Sequence, residues 1–267
     1  MIIDAHAHAA RQYATVESLK AMAGRYDLEK IVLCTSPRNN LDLKAPPNYP
    51  FLKSPDGIFL LNRMLRLGYK SFPDRGDGNQ YVADLRARLP DLVIQFLWVD
   101  PLDPGHMQGL ERRVREYRVK GLKLHQAWNP FSIAGDEFAR LVEFATANGL
   151  PIFIHLYSRR EAVLLLHFME DHRDAKFIVG HMLALDVFKE KPRTLSNLFF
   201  DTSGSERVRG RDIREAIDRF GDDHVIFGTD TPYAPIEDQI RKIDELRLGE
   251  AAKEKIFRSN IASLLSL

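Results

Sequence analysis

From Asp136 to His155 the chain reads DEFARLVEFATANGLPIFIH, and this stretch lays out one repeating unit of the fold. Phe138, Leu141, Val142 and Ala145 recur at helical spacing and mark the apolar face of an amphipathic helix. Asn148-Gly149-Leu150-Pro151 then stops the helix, since glycine tolerates the left-handed turn at a helix end and proline opens the next segment. Ile152-Phe153-Ile154 is a short apolar run, read as a buried strand, and it ends on an ionisable residue, His155.

The same alternation extends in both directions. Strands are expected at Met1 to Ala7, Lys30 to Thr35, Val93 to Val99, Gly121 to His125, Pro151 to Leu156, Lys176 to Gly180, Asn197 to Asp201 and Val225 to Gly228. Amphipathic stretches such as Arg160 to His172 and Asp212 to Phe220 lie between them. Strands alternating with helices build a parallel sheet, and eight such units close into a TIM-type (β/α)₈ barrel. The 267 residues fit one domain over 1–267, since such barrels run to roughly 250 residues. A doubly wound open sheet is the competing arrangement, but no glycine-rich phosphate loop follows the first strand. One connection breaks the rhythm. Residues 36–78 carry Pro37, Pro46, Pro47, Pro50, Pro55 and Pro73 around a helical patch from Ile58 to Leu67. This insertion follows a barrel strand, so it falls on the C-terminal face, where it reads as a lid or substrate-pocket wall.

Composition narrows the function classes. The 38 basic and 37 acidic residues leave a net charge of +1, so no global field draws nucleic acid or an anionic membrane. The run Arg207, Arg209, Arg211 and Arg214 reads as a solvated loop and helix face, with an acidic substrate as the alternative. A single cysteine, Cys34, excludes an internal disulfide and suits a reducing compartment, where it reads as a buried, inert thiol. The start of the chain lacks the basic and apolar regions of a signal peptide, and no apolar run approaches the roughly 20 residues that span a bilayer. A cytoplasmic protein acting on a small molecule is expected, with monomer and homo-oligomer both open.

The chemistry gathers at strand ends. His6 and His8 lie one pleat apart at the end of the first strand, and simple alternation puts Asp4 on their face. His155 ends the fifth strand, His181 the sixth, and Asp230 follows the eighth. Alternation leaves Phe153, Phe177 and Val179 as packing layers beneath them and turns Ile152 and Ile154 towards the helices. Each of these ionisable residues alone is ordinary, a hydrogen-bonded strand-end histidine or a turn-capping aspartate. Five of them converging on one barrel mouth describe a cation site. Imidazole and carboxylate donors suit Zn²⁺ first, then Mn²⁺, Fe²⁺ or Co²⁺, rather than Mg²⁺ or Ca²⁺.

The chain resembles the amidohydrolase superfamily, and within it the amidohydrolase-related branch of short, mostly mononuclear enzymes. The likeness rests on Ile3-Asp4-Ala5-His6-Ala7-His8, Val99-Asp100-Pro101, Gly121-Leu122-Lys123-Leu124-His125, Ile154-His155, Gly180-His181, Gly228-Thr229-Asp230-Thr231-Pro232 and a terminal helix from Glu254 to Ala262. The resemblance implies that His6, His8, His155 and Asp230 hold one divalent metal and that His181 orients or activates substrate or water. It further implies metal-dependent hydrolysis of an amide, ester or lactone, with Asp230 and His181 catalytic. The alternative is non-oxidative decarboxylation of a small aromatic or dienoic acid, since the branch includes both.

Other residues are candidates for substrate contact. Lys123 shares strand parity with His125, and it matches a position that binuclear relatives carboxylate; here it reads as a structural or substrate-positioning ammonium paired with Asp4 or Asp201. His125, Trp128 and Arg63 are substrate candidates, with Tyr69 and Arg75 of the insertion beside them and Asp201 and Thr202 at the end of strand seven. Trp98 reads as core, and His106, His167, His172 and His224 as surface or capping residues.

Overall fold

Each of the expected apolar runs forms a strand: β1 (Ile2–His8), β2 (Leu28–Cys34), β3 (Val93–Trp98), β4 (Gly121–His125), β5 (Ile152–His155), β6 (Phe177–Val179), β7 (Leu198–Asp201) and β8 (Val225–Ile226). The structure is a computed structural model that describes residues 1–42, 55–68, 71, 75–191, 195–204 and 207–267. The strands are parallel and follow chain order from β1 to β8. The last returns to the first: Ala5 N donates to Phe227 O at 3.0 Å, Asp230 N to His6 O at 2.7 Å and His8 N to Thr231 O at 2.8 Å. The result is a (β/α)₈ barrel.

Helices occupy the connections, with α1 (Val16–Tyr26) after β1, and α2 (Pro55–Gly68) and α3 (Gly78–Arg88) between β2 and β3. Next come α4 (Pro104–Gln108), α5 (Leu110–Glu116), α6 (Asp136–Ala147), α7 (Arg159–Asp171), α8 (Leu185–Phe188) and α9 (Gly210–Phe220). After β8 the chain ends in α10 (Ile236–Glu245), α11 (Glu250–Glu254) and α12 (Asn260–Leu264). Local chemistry sets their ends; the Thr15 hydroxyl, for instance, accepts from Ser18 N and closes a capping box at the start of α1. Of the insertion over residues 36–78, the structure describes α2, the start of α3 and short flanks, so Tyr69 lies outside the described residues. No helix among the described residues is long and apolar enough to cross a membrane.

Strand alternation sorts the core into layers. Leu122, Leu124, Ile152 and Ile154 turn outward to Phe138, Leu141 and Leu165 of α6 and α7, while Phe153, Ile178, Phe96 and Trp98 share an inner cluster. Two expectations of sidedness are corrected. Asp4 does not share a face with His6 and His8. The pairing of β1 with β2 shifts between Asp4 and Ala7, three steps on β1 against two on β2, so an extra residue flips the parity. Asp4 therefore pairs beside Ile31 on the outer side, with the α1 residue Leu19 in that cluster, and its carboxylate accepts from Thr229 N at 3.0 Å and Thr229 Oγ1 at 2.7 Å. Likewise Phe177 and Val179 pack outward against the helices, and Ile178 faces inward. Strand β6 ends at Val179, and the chain then turns, so counting alternate residues back from His181 gives the wrong face.

Candidate metal centre

The mouth of the barrel is assembled from strand ends and two unusual turns. His6 and His8 end β1 and are almost fully buried. His181 sits in a turn after β6 at φ 55°, and Asp230 follows β8 at φ 60°. Left-handed backbone is disfavoured for residues with a side chain, and it persists where surrounding structure holds it, commonly at functional sites. Here it lets two residues just past a strand turn back over the barrel axis.

One carboxylate connects the histidines. Asp230 Oδ1 lies 3.4 Å from His8 Nε2 and 3.7 Å from His6 Nε2, and Oδ2 lies 4.0 Å from His181 Nε2. His6, His8 and Asp230 thus offer ligand atoms within 4.8 Å of one another. A second triplet of the same spacing, His6, His181 and Asp201, shares His6. The remaining bonds separate the two. His6 Nδ1 is held by Asp201 Oδ2 at 3.2 Å and Ser203 Oγ at 3.0 Å, and His8 Nδ1 donates to Thr35 O at 2.8 Å. With Nδ1 engaged on both rings, each Nε2 is directed to the Asp230 side. Asp201 is then the orienting carboxylate behind His6, and it also accepts from His181 N at 3.0 Å. Gly228 makes this approach possible, because a Cβ there would lie 2.1 Å from Asp201 Oδ1 and 2.9 Å from His6 Cβ.

His155 stands on the opposite side of the mouth, stacked on His125 at 3.9 Å and edge-on to His181 at 5.1 Å between ring centroids. It does not join either triplet at their spacing. Its Nε2 faces Asn62 Oδ1 of α2 at 3.1 Å, and its buried Nδ1 has no hydrogen-bond partner. An orphaned, buried imidazole nitrogen is an unmet donor atom of the kind a cation takes up. The buried set of His6, His8 and Asp230, with that nitrogen nearby, fits a divalent transition metal.

For every member of the set except His8, the electrostatics agree with ligand chemistry. Burial, reinforced by the Lys123 charge, pushes His6 down to about 3, and burial also holds His125 and His155 well below the usual range, so these rings are neutral. Burial works against the charged form of Asp230, but His181, His8 and His6 outweigh it and hold the carboxyl far below the ordinary range. For Asp201, burial is likewise outweighed, chiefly by His6, and its carboxyl falls to about 2. His8 goes the other way, to about 9, because Cys34 and the Asp230 carboxylate overcome its burial.

The remaining candidates fall in different places. Lys123 and His125 both face inward, as parity requires. Lys123 forms no ion pair with Asp4 or Asp201 among the described residues; its Nζ lies 2.7 Å from His6 Nε2 and 3.8 Å from the Phe153 ring centre. The carboxylate of Asp4 is turned to the other face by the shift in β1, and that of Asp201 is taken by His6, Ser203 and His181. His125 is sandwiched between His155 and Trp98, and its Nδ1 accepts from Ala127 N at 3.3 Å, so the proton sits on Nε2. Trp128 is buried with its ring edge-on to His125. Arg63 is exposed on α2, and Arg75 is exposed and pairs with Asp42 at 3.3 Å; neither reaches the described site residues. Thr202 is buried, and its hydroxyl accepts from Gly228 N.

Several participants carry no signal in the sequence. Trp98 walls the site as well as filling the core, with its ring 6.1 Å from His8. Beyond it lies a polar cleft of about 500 Å³, lined by Thr35, Asn79, Asp100, Trp128 and Asn129. From α2, Arg66 lies over the Tyr157 ring and donates to Gln126 O, leaving its buried Nε without a partner. Of the arginine run, Arg209 and Arg211 pair with Asp212, whereas the charge of half-buried Arg207 acts on both His155 and His181. His106, His172 and His224 bond to nearby backbone, and His167 is exposed.

Comparisons with known proteins agree with this architecture. No curated protein sequence matches the chain. Similar solved structures include a dihydroxybenzoic acid decarboxylase from Polaromonas sp. JS666 with bound manganese and 2-nitroresorcinol, at 17% identity and TM-score 0.68, covering 100% of this chain and 97% of that one. An amidohydrolase from Burkholderia multivorans with bound zinc is 17% identical at TM-score 0.67, over 100% and 99% of the two chains. A 4-oxalomesaconate hydratase from Rhodopseudomonas palustris is 15% identical at TM-score 0.66, over 100% and 96%. These likenesses concern the fold. The sequence model of the amidohydrolase family matches residues 3–267, nearly the whole barrel with its strand-end histidines and Asp230, and the chain is an enzyme belonging to that family.

Proposed function

We propose that this protein is a metal-dependent hydrolase that uses activated water on a small-molecule amide, ester or lactone. The observation that carries the reading is the division of Asp230: one oxygen faces the imidazoles of His6 and His8, the other faces His181. His6, His8 and Asp230 would hold the ion, with His155 completing the set, and Zn²⁺ is the ion proposed. A bound divalent cation supplies Lewis acidity, lowering the pKa of water and polarising a carbonyl oxygen.

The protein groups then have separable tasks. Asp230, kept ionised by its imidazole neighbours, takes the proton of the attacking water and later gives it to the leaving group. His181 Nδ1 lies 3.2 Å from Ser203 O and donates to it, which leaves the Nε2 lone pair of the neutral ring facing Asp230. From there it accepts a hydrogen bond from the attacking water and fixes its approach. His125, with its proton on Nε2, is a donor for a substrate oxygen. Trp98 and Trp128 shape the wall against which the substrate lies, and the insertion acts as a lid, with α2 over the ends of β4 and β5.

The test is turnover in ¹⁸O-labelled water, assayed on a panel of lactones, esters and amides with added Zn²⁺ or Mn²⁺. Hydrolysis places the label in the product acid or alcohol. A second reading, decarboxylation of a small aromatic or dienoic acid, is favoured by Arg207 acting on the site histidines and by the unpaired Nε of Arg66, cations that a carboxylate needs. Decarboxylases also occur among the similar structures. Unlabelled product with release of CO₂ would decide for that reaction.

A further inference from the structure

Helix α2 meets the barrel mouth along one face. Ile58 and Phe59 are buried in the cluster that includes α6 and α7, and one turn on Asn62 is 1% exposed. The Asn62 Nδ2 donates to Leu156 O at 3.0 Å and to Tyr157 O at 3.3 Å. Carbonyl oxygens only accept, so this end of the amide must be the NH₂. The other end, facing His155 Nε2 at 3.1 Å, is then the oxygen, which also only accepts. His155 Nε2 therefore carries the ring proton, and the lone pair is on Nδ1, which is buried without a partner. Leaving such an atom unsatisfied is costly unless something takes it up.

We propose that Asn62 is a positioning residue that fixes the tautomer of His155 and so presents Nδ1 as a donor atom to the cation. The inference rests on the metal centre proposed above, and it makes ion affinity depend on a helix of the insertion. His155 is wired in the opposite sense to His6 and His8, whose Nδ1 atoms are engaged and whose Nε2 atoms face Asp230.

Two measurements on the full-length, chelator-treated protein test it: the His155 tautomer by long-range ¹H–¹⁵N NMR, and Zn²⁺ affinity by competition with a chromogenic chelator. In the parent protein His155 should be in the Nε2–H form. Asn62→Leu should lose that preference and raise the Zn²⁺ Kd by about 10–100-fold, the usual effect of removing a group that orients a ligand. Asn62→Asp keeps an oxygen towards His155, so it should retain the tautomer and a Kd within about threefold of the parent. Both variants remove the amide NH₂ that ties α2 to Leu156 and Tyr157, so equal weakening in both would reduce Asn62 to a clamp and overturn the proposal. An unchanged tautomer in Asn62→Leu would also overturn it, independently of any metal. His155→Ala with undiminished Zn²⁺ affinity would instead overturn the ligand assignment of His155, and the role of Asn62 with it.

Discussion

The two sides of the barrel mouth are built differently. On the side of β1, β7 and β8, every functional group is held by the barrel itself: His6 by Asp201 and Ser203, His8 by the Thr35 carbonyl, Asp230 by backbone pairing with His6. On the side of β4 and β5, His155 and His125 are held by stacking and by Asn62, a residue supplied by the insertion. The first side is rigid because sheet hydrogen bonds and buried charges fix it. The second can be altered from outside the barrel. The groups proposed to react sit on the first, and the helix proposed to act as a lid sits on the second.

The largest expected effect breaks the first side at its centre. Asp230→Asn should lower kcat by more than the roughly 10²–10⁴ that general acid–base catalysis alone supplies, because the ligand set is damaged along with the base; steady-state kinetics of the metal-loaded variant measures this. Next, His181→Asn should lower kcat by about 10²–10⁴ with metal content and KM nearly unchanged, as the proposed action of His181 on the reacting water requires. A loss of metal in this variant would make His181 a ligand and move the centre towards the second triplet.

Gly228→Ala tests the rigidity of the same side without touching a reacting group. The new methyl must displace Asp201 from His6, so metal affinity should fall by about 10–100-fold in a chelator competition. On the other side, Arg66→Met removes the stacking on Tyr157 and the bond to Gln126 O. Loosening α2 in this way should raise KM by about fivefold, as expected for loss of an interaction worth roughly 1 kcal/mol, and leave metal content as it was. If kcat rather than KM responded, the helix would be part of the catalytic apparatus rather than a cover.

The difference between the sides also explains what could be read in advance. The eight strands were legible because apolar runs and Gly or Pro punctuation are local properties. The ionisable strand ends were legible because position in a barrel assigns them to the mouth. Asp4 was misplaced because the extra residue in β1 is a property of its pairing with β2, which no single strand reveals. Phe177 and Val179 were misplaced because His181 lies in a left-handed turn beyond the strand, where alternation no longer holds. Charge alone suggests a carboxylate partner for Lys123, whereas burial and the prior commitments of Asp4 and Asp201 leave it against His6. Asn62 carried no signal, because an asparagine in a helix of a long insertion becomes informative only when α2 is seen against Leu156 and His155. Arg63 lies exposed on the same helix, yet Arg66, less than one turn further, faces the barrel.

The most direct test is elemental analysis of the purified protein beside the His6→Ala/His8→Ala double variant, with circular dichroism to monitor the fold. The apolar core does not depend on the ion, so the barrel spectrum should persist in both proteins. The parent should hold about one divalent transition metal per chain and the double variant essentially none, because both Nε2 ligands would be gone. Full metal retention in the double variant, with the fold intact, would contradict the assignment of the centre to His6, His8 and Asp230.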